Sequence, residues 1–309
     1  MRVLLLANPH ASRFSGRTRD RVARSLAAAH KLEVAQTSHA GQATLLARAA
    51  VAEGVELVAV LGGDGTVNEV VNGLVGSGAL LGLLGGGHSN VLARALGLPA
   101  DPERAAGRLL ELLAAGRRRQ FSLGSADGRC FTFGAGLGLD GAIVREVERR
   151  QRAKQLYGDR AYLAASLKTL LVGYDRDHPH LTVRLPGGRP VVRGFFALVG
   201  NGDPFSYLGR RPFRPTPQAS FEAGLDLLVG QTMAARPLLR AITGMLSPSP
   251  RAAYPGLPVL HDQDGFALSA DVPLAFQLDG EYLGDRTSVQ LACLRRALTV
   301  VAPHLPRRA

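Results

Sequence analysis

Cysteine is scarce in this sequence: Cys130 and Cys293 stand alone and far apart. A pair so placed gives neither a disulfide framework nor a zinc-ligand spacing, and a reducing cytoplasm suits it. Long apolar runs are missing too. The opening "MRVLLLAN" is too short for a signal peptide and lacks a small-residue cleavage site. No stretch approaches the roughly 20 apolar residues of a membrane span, so a soluble or peripheral protein is expected. Lysine is almost absent, with Lys31, Lys154 and Lys168 the only three, and arginine carries a formal net charge of +12. That balance suits a nucleotide, a nucleic acid or an acidic lipid, and also follows from an arginine-rich composition alone. No nucleic-acid motif accompanies it. His178, His180 and His261 show no ligand spacing. A Walker A loop is missing, and "GAGLGLDG" at Gly134–Gly141 is only a superficial dinucleotide fingerprint, because it follows a strand of a different texture.

What is present is a chain of 309 residues, 46% hydrophobic, enough for two domains with proper cores. Up to about residue 120 it alternates strands and helices. Strands are read at "RVLLLAN", "KLEVAQ", "VELVAVL" and "ALLGLL". Helices are read at Arg17–Ala29, with Val22, Leu26 and Ala29 inward, and at Gly41–Glu53, with Leu45, Leu46 and Ala49 inward. A short helix follows at Asn90–Leu96, and another starts at Asp101–Pro102, a capping pair. Beyond a boundary near Ser122–Asp127 the pattern becomes antiparallel β, with helices around Gly141–Arg152, Asp159–Val172 and Ala235–Leu246.

"VLGGDGTVNEVVNGL", Val60–Leu74, joins a strand end to a helix whose Val67, Val70, Val71 and Leu74 share one face. Thr66 and Glu69 have the capping-box spacing. Glycines at such a place let a backbone approach an anion and adopt positive φ, and free helix N–H groups favour phosphate. Asp64 suits a metal-bound water, the orientation of a hydroxyl nucleophile, or plain turn chemistry. Gly85–Gly87 repeats the arrangement after the next strand, and "NPHASRFSG" and Thr37 add polar groups at two further strand ends. Asp279–Gly280 reads on its own as a hairpin turn.

Taken in order, "NPHAS", "GGDGTVNEVVNGL", "GGGHSNVLARALGLP", "FTFGAGLGLDGAIV" and "QLDGEYL" make the chain resemble the diacylglycerol kinase catalytic-domain family. More narrowly it is similar to bacterial soluble lipid kinases related to sphingosine and ceramide kinases. The resemblance implies an α/β N-terminal domain with a parallel sheet, like that of NAD kinases and phosphofructokinases, over residues 1–122. It implies a C-terminal β-sandwich lipid-substrate domain over 123–309, with a return of the last residues to the first domain left open, and chemistry in the cleft between them.

The implied reaction transfers the γ-phosphate of ATP, with Mg²⁺, to a lipid hydroxyl. The implied ATP-binding residues are Asn8, Pro9, His10, Ala11, Ser12, Thr37, Gly62, Gly63, Gly65, Thr66, Val67, Asn68, Glu69, Gly87, His88 and Asn90. Glu281 is the favoured base, with Asp279 close behind and Asp64 working with them; Asp140 matches an acid near the lipid headgroup.

The sequence departs from the family pattern twice. Val91 stands where many members have Asp, with His88 for a threonine before it, and Ala223 stands where an Asp often holds a structural Mg²⁺, so that this ion is either absent or its site is rebuilt from Glu222 or Asp226. "YLGRRPFRPTP" and "REVERRQRAK" are basic segments suited to an anionic membrane surface or to a solvated face. The expected location is cytoplasmic, peripheral at the inner membrane face. The rivals are a nucleotide- or lipid-binding protein that has lost catalysis, and an NAD kinase, although no Thr-Gly-Ser-Thr-Ala-Tyr-like stretch is present.

Overall fold

The computed structural model describes residues 1–151, 174–186, 192–251 and 254–304. The helix expected over Asp159–Val172 lies outside the described residues, as do Lys154 and Lys168. The chain divides into two units, one of Met1–Leu123 with the stretch from Leu294 onward, the other Gly124–Cys293.

The first unit is built on parallel strands β1 (Arg2–Ala7), β2 (Lys31–Gln36), β3 (Leu57–Leu61) and β4 (Leu80–Leu83). β1 pairs with both β2 and β3, and β3 with β4. Thr299 and Val300 add a further parallel partner beside Leu80 and Leu81. β1, β3 and β4 are apolar on both faces because helices cover both. Val3, Leu5, Leu57, Ala59 and Leu61 pack with Val22 and Leu26 of α1 (Gly16–Ala27) and with Leu109 and Leu112 of α5 (Pro102–Ala114). α2 (Gln42–Ala52) and α3 (Asp64–Leu74) pack on each other. α4 (Val91–Ala95) is a short turn of helix. Ser15 caps α1 and Asp101 caps α5, each accepting a first-turn N–H.

Three sequence expectations change here. α1 ends at Ala27, so Ala29 is exposed rather than inward. α2 turns Ala43, Ala47 and Ala50 inward and leaves Leu45 62% exposed and Ala49 exposed. Close approach explains that choice: a Cβ on Gly73 of α3 would lie 2.7 Å from the Thr44 carbonyl and 2.8 Å from the Ala47 Cβ, so only small residues fit. Thr66 is not a cap, since α3 already begins at Asp64.

The second unit is strand-rich and largely antiparallel, the expected β-sandwich class. β7 (Gly134–Leu137), β10 (Phe196–Gly200), β13 (Leu225–Gly230) and β14 (Val259–Gln263) pair in that order, and β7 also pairs with β15 (Gly265–Leu278). β15 is one long strand where two were expected. It breaks register at exposed Asp271–Pro273, pairing with β8 (Leu181–Arg184) before the break and with β7 after it. β16 (Glu281–Val300) runs back along β15, β9 (Val192–Gly194) lies beside β8, and Gly124–Ala126 at the end of β5 (Arg119–Ala126) pairs with β6 (Arg129–Phe131).

β10 and β13 bury both faces. Ala197, Val199, Leu225, Leu227 and Val229 point into the core shared with β8 and β15. Phe196, Leu198 and Leu228 lie under Ala241 and Met245 of α7 (Ala235–Met245) and under Phe205. The hairpin β11 (Ser206–Leu208) and β12 (Arg211–Phe213) was not foreseen from the sequence, and α6 spans Leu139–Gln151.

Candidate functional site

In the first unit the strand ends and the turns after them make one cavity of about 430 Å³. Of the residues singled out from the sequence, Asn8, His10, Ala11, Ser12, Thr37, Gly63, Gly65, Thr66, Glu69, Gly87 and His88 line it. Pro9, Gly62, Val67, Asn68 and Asn90 do not line it. Val67 and Asn68 are buried in α3, and Asn90 is buried with its side chain folded back onto Gly87, donating to the carbonyl at 2.8 Å and accepting the N–H at 2.9 Å. His39 and Ala40 line the cavity without having been foreseen, although they follow Thr37 on the same strand-end turn.

Backbone contacts tie the turns together. The Asn8 N–H donates to the Leu61 carbonyl at 2.9 Å, and the Asn8 side chain donates to Thr66 Oγ1 at 2.9 Å. The Arg13 N–H reaches the Gly86 carbonyl, and the Gly86 N–H reaches the Gly62 carbonyl, each at 2.9 Å. A Cβ on Gly87 would lie 2.5 Å from the Gly63 Cα, and one on Gly86 would lie 2.8 Å from the Gly62 nitrogen. The glycines therefore serve first to let two turns touch. Positive φ is not their reason: among them only Gly85 has it, at 61°. Gly65 differs, since its Cβ position is open space beside the cavity. The first-turn N–H groups of α3, which have no partner inside the helix, border the same space.

Glu69 and Asp64 each reach to another element. Glu69 accepts from the N–H groups of Gly41 at 2.8 Å and Ala43 at 3.0 Å, so it caps α2 rather than closing a capping box on its own helix. Asp64 Oδ1 accepts from the Val91 N–H at 2.7 Å and fixes the start of α4.

In the second unit the acids gather around Asp279–Gly280. These residues form the two-residue loop between paired Leu278 and Glu281, with φ of 49° and 80°, both positive as such a turn requires. Asp279 accepts four hydrogen bonds: from the Thr132 N–H and Oγ1, both at 2.7 Å, from the Phe133 N–H at 2.9 Å and from the Gly134 N–H at 3.1 Å. Burial pushes its carboxyl up, and the four donors act against that. Glu281, two residues on, is exposed and ion-paired with Arg129.

Asp140, in the first turn of α6, accepts from Gln277 Nε2 at 2.5 Å, and Gln277 Oε1 accepts the Gly280 N–H at 2.8 Å. One amide thus links Asp140 to the turn that carries Asp279. Gly136, paired with Gln277, has to be glycine because a Cβ there would lie 2.2 Å from Asp140 Oδ2. Burial raises the Asp140 carboxyl to about 6, against the Gln277 hydrogen bond.

The family profile described as "Diacylglycerol kinase catalytic domain" matches residues 2–126. Residues 2–126 thus carry the sequence pattern of a diacylglycerol kinase catalytic domain. A "Probable lipid kinase YegS-like" of Chromohalobacter salexigens is 33% identical over 188 residues, 60% of this chain and 58% of that protein. A "Diacylglycerol kinase" of Bacillus subtilis is 34% identical over 137 residues, 43% of each chain. The chain thus spans about half the length of these two relatives. A "Diacylglycerol kinase" of Staphylococcus carnosus is 26% identical over 273 residues, 86% of this chain and 83% of that one. A crystal structure of a diacylglycerol kinase from Bacillus anthracis str. Sterne has the same fold, with a TM-score of 0.72 at 22% identity over 98% of this chain and 97% of the other.

The two departures from the diacylglycerol kinase pattern have visible local consequences. Val91 brings no acid to the second turn, and its N–H is the group that Asp64 holds. Around Ala223, Glu222 is exposed, whereas Asp226 is fully buried. Asp226 Oδ1 meets His261 Nδ1 at 2.7 Å and accepts the Asp262 N–H at 3.1 Å, while Oδ2 has no hydrogen-bond partner among the described residues.

The basic segments also sort differently than expected. Arg145 is paired with Asp285 at 3.0 Å and stacked on Tyr282, so it is no free membrane contact. Arg214 is half-buried against Asp203. Arg210 and Arg211 remain exposed on the β11–β12 hairpin beside Leu208, which is 56% exposed. The hairpin and α7 share the core of Phe205, Phe213, Ala241 and Met245. α7 presents Leu239, 61% exposed, and Ile242, 38% exposed, next to exposed Arg236 and Arg240. No helix among the described residues is long and apolar enough to cross a membrane.

Proposed function

We propose that the protein is a lipid kinase that transfers the γ-phosphate of ATP to the hydroxyl of diacylglycerol or a related lipid alcohol. The observation that carries the reading is the cavity of the first unit. Glycine turns, the α3 N-terminus and the side chains of Asn8, Ser12 and Thr37 meet there, in a segment of diacylglycerol kinase family sequence. Helix N–H groups and small polar side chains are suited to a polyphosphate. Glu69, the acid that lines the cavity, is occupied by the Gly41 and Ala43 N–H groups.

Phosphoryl transfer needs alignment, charge neutralisation and an acceptor for the hydroxyl proton. Mg²⁺ in such enzymes rests mainly on the nucleotide's phosphates with one or two carboxylates, and neutralises charge on the transferred group. Asp64, steadied by Val91 at the first turn of α3, is the carboxylate that fits this donor set. Glu281 is assigned the proton acceptor. It is exposed, and Arg129 restrains it without burying it. Asp279 is assigned a positioning role, since its four hydrogen bonds hold the loop that carries Glu281. Asp140 is assigned to the acceptor lipid's headgroup; with a carboxyl raised to about 6 it passes between hydrogen-bond donor and acceptor near neutral pH.

The membrane contact is assigned to α7 and the β11–β12 hairpin. Leu208, Leu239 and Ile242 enter the interface, and Arg210, Arg211, Arg236 and Arg240 face anionic headgroups.

The test is transfer of label from γ-labelled ATP to a total lipid extract with Mg²⁺. A labelled lipid supports the reading, and its mobility names the acceptor. ATP binding without label in any lipid favours the rival, a nucleotide- or lipid-binding protein that has lost catalysis, with Val91 and Ala223 as the responsible changes.

A further inference from the structure

Three ligand-type side chains converge on one point that the kinase reading does not use. Asp175, His178 and His180 precede β8 in a run, "DRDHPH", whose spacing matches no zinc motif. In the folded chain their ligand atoms all lie within 4.8 Å of one another. Asp175 Oδ1 accepts from the backbone N–H groups of Asp177 at 2.9 Å and His178 at 3.2 Å, which fixes the carboxylate. Its Oδ2 then faces both rings, 3.3 Å from His178 Nδ1 and 3.0 Å from His180 Nε2. Two ligand atoms on a tetrahedral ion with zinc-type bonds stand about 3.3 Å apart. The observed separations are therefore close to the edges of such a polyhedron before any ion enters.

The donor set narrows the ion. Two imidazoles and one carboxylate suit Zn²⁺ and its neighbours, whereas Mg²⁺ and Ca²⁺ favour all-oxygen sites. His178 is 74% exposed and gives entry from solvent, while His180, 25% exposed, and Asp175 border a cavity of about 370 Å³ with Arg145, Tyr174 and Phe195. Three protein ligands would leave the ion a position for water or an exchangeable anion on the cavity side.

We propose that Asp175, His178 and His180 form a three-ligand site for a divalent transition-metal ion, Zn²⁺ first. The ion replaces the ring-to-carboxylate hydrogen bonds. Each imidazole gives up the proton on the nitrogen that faces Asp175, to solvent or by transfer to its other ring nitrogen, and offers the freed lone pair to the ion.

The experiment is calorimetric titration of the chelator-stripped full chain with Zn²⁺ alone, alongside the absorption of the Co²⁺-loaded protein. One equivalent is expected, with a Co²⁺ spectrum of low coordination number. His178→Ala and His180→Ala should each weaken binding at least about tenfold, and excess Mg²⁺ should not compete. His178→Ala removes an exposed ring, so its fold is retained and its result can be read even if His180→Ala is destabilised. Absence of Zn²⁺ binding overturns the proposal. Binding unchanged in both variants also overturns it, since the ion then sits elsewhere.

Discussion

Asp64 and Asp279 both stand beside glycine just after a strand, one in each unit, and do different work. Asp64 reaches to another turn, where its Oδ1 accepts the Val91 N–H. Asp279 takes four donors from three successive residues, Thr132 to Gly134. The first acid orients a short helix next to a cavity built mostly of backbone. The second clamps a hairpin so that the next acid, Glu281, is presented at the surface. The comparison teaches that an acid in a glycine turn is a poor guide to catalysis until its hydrogen-bond partners are counted.

The strongest way to break the comparison is to remove each acid in turn. Asp279→Ala strands three backbone N–H groups and should cost about 3 to 5 kcal/mol in denaturant unfolding. Asp64→Ala removes the cap-like bond to the Val91 N–H and should cost about 1 kcal/mol. Equal losses would contradict the difference drawn here.

Asp140 sharpens the account through pH. Its carboxyl stands at about 6 in the folded chain against an ordinary 3.8. Between those values the folded state holds more proton than the unfolded one, so the stability this group contributes is present below about pH 4 and is lost as pH rises through 6. Asp140→Asn should be more stable than the parent by about 1 to 3 kcal/mol at pH 7, with the difference vanishing near pH 4. Melting curves across that range decide it, and a pH-independent difference would argue against buried ionisation.

The glycine turns give the next contrast. Gly87→Ala drives a Cβ into the Gly63 backbone, so it should lose about 1 to 3 kcal/mol and nucleotide affinity together. Gly65→Ala meets open space in a helix and should keep or gain about 0.5 to 1 kcal/mol, yet bind nucleotide less well because its methyl enters the cavity. Paired thermal shifts with and without ATP separate the two.

Much of the first unit was legible in the sequence because its signals are local. Apolar runs gave β1 and β3, the heptad-like face of Val67 to Leu74 gave α3, and Asp101–Pro102 gave the start of α5. Strand ends followed by glycine pointed to the cavity. What stayed hidden depends on partners distant in sequence. The inward face of α2 is set by Gly73 of another helix, and Glu69 caps a helix that is not its own. The donors to Asp279 lie 145 to 147 residues away, so spacing could show the hairpin but not the clamp. The β11–β12 hairpin was hidden because each strand is only three residues long, too short to show alternation, and β12 carries Arg211 and Pro212.

The smallest stability effect belongs to the residue given the largest chemical one, and there the central claim is most exposed. Phosphate transfer to lipid and thermal unfolding should be measured together on Glu281→Gln. An exposed ion pair contributes at most about 1 kcal/mol, so the account predicts an almost unchanged melting temperature with transfer nearly abolished. A variant that melts like the parent and still phosphorylates lipid at the parent rate would contradict it.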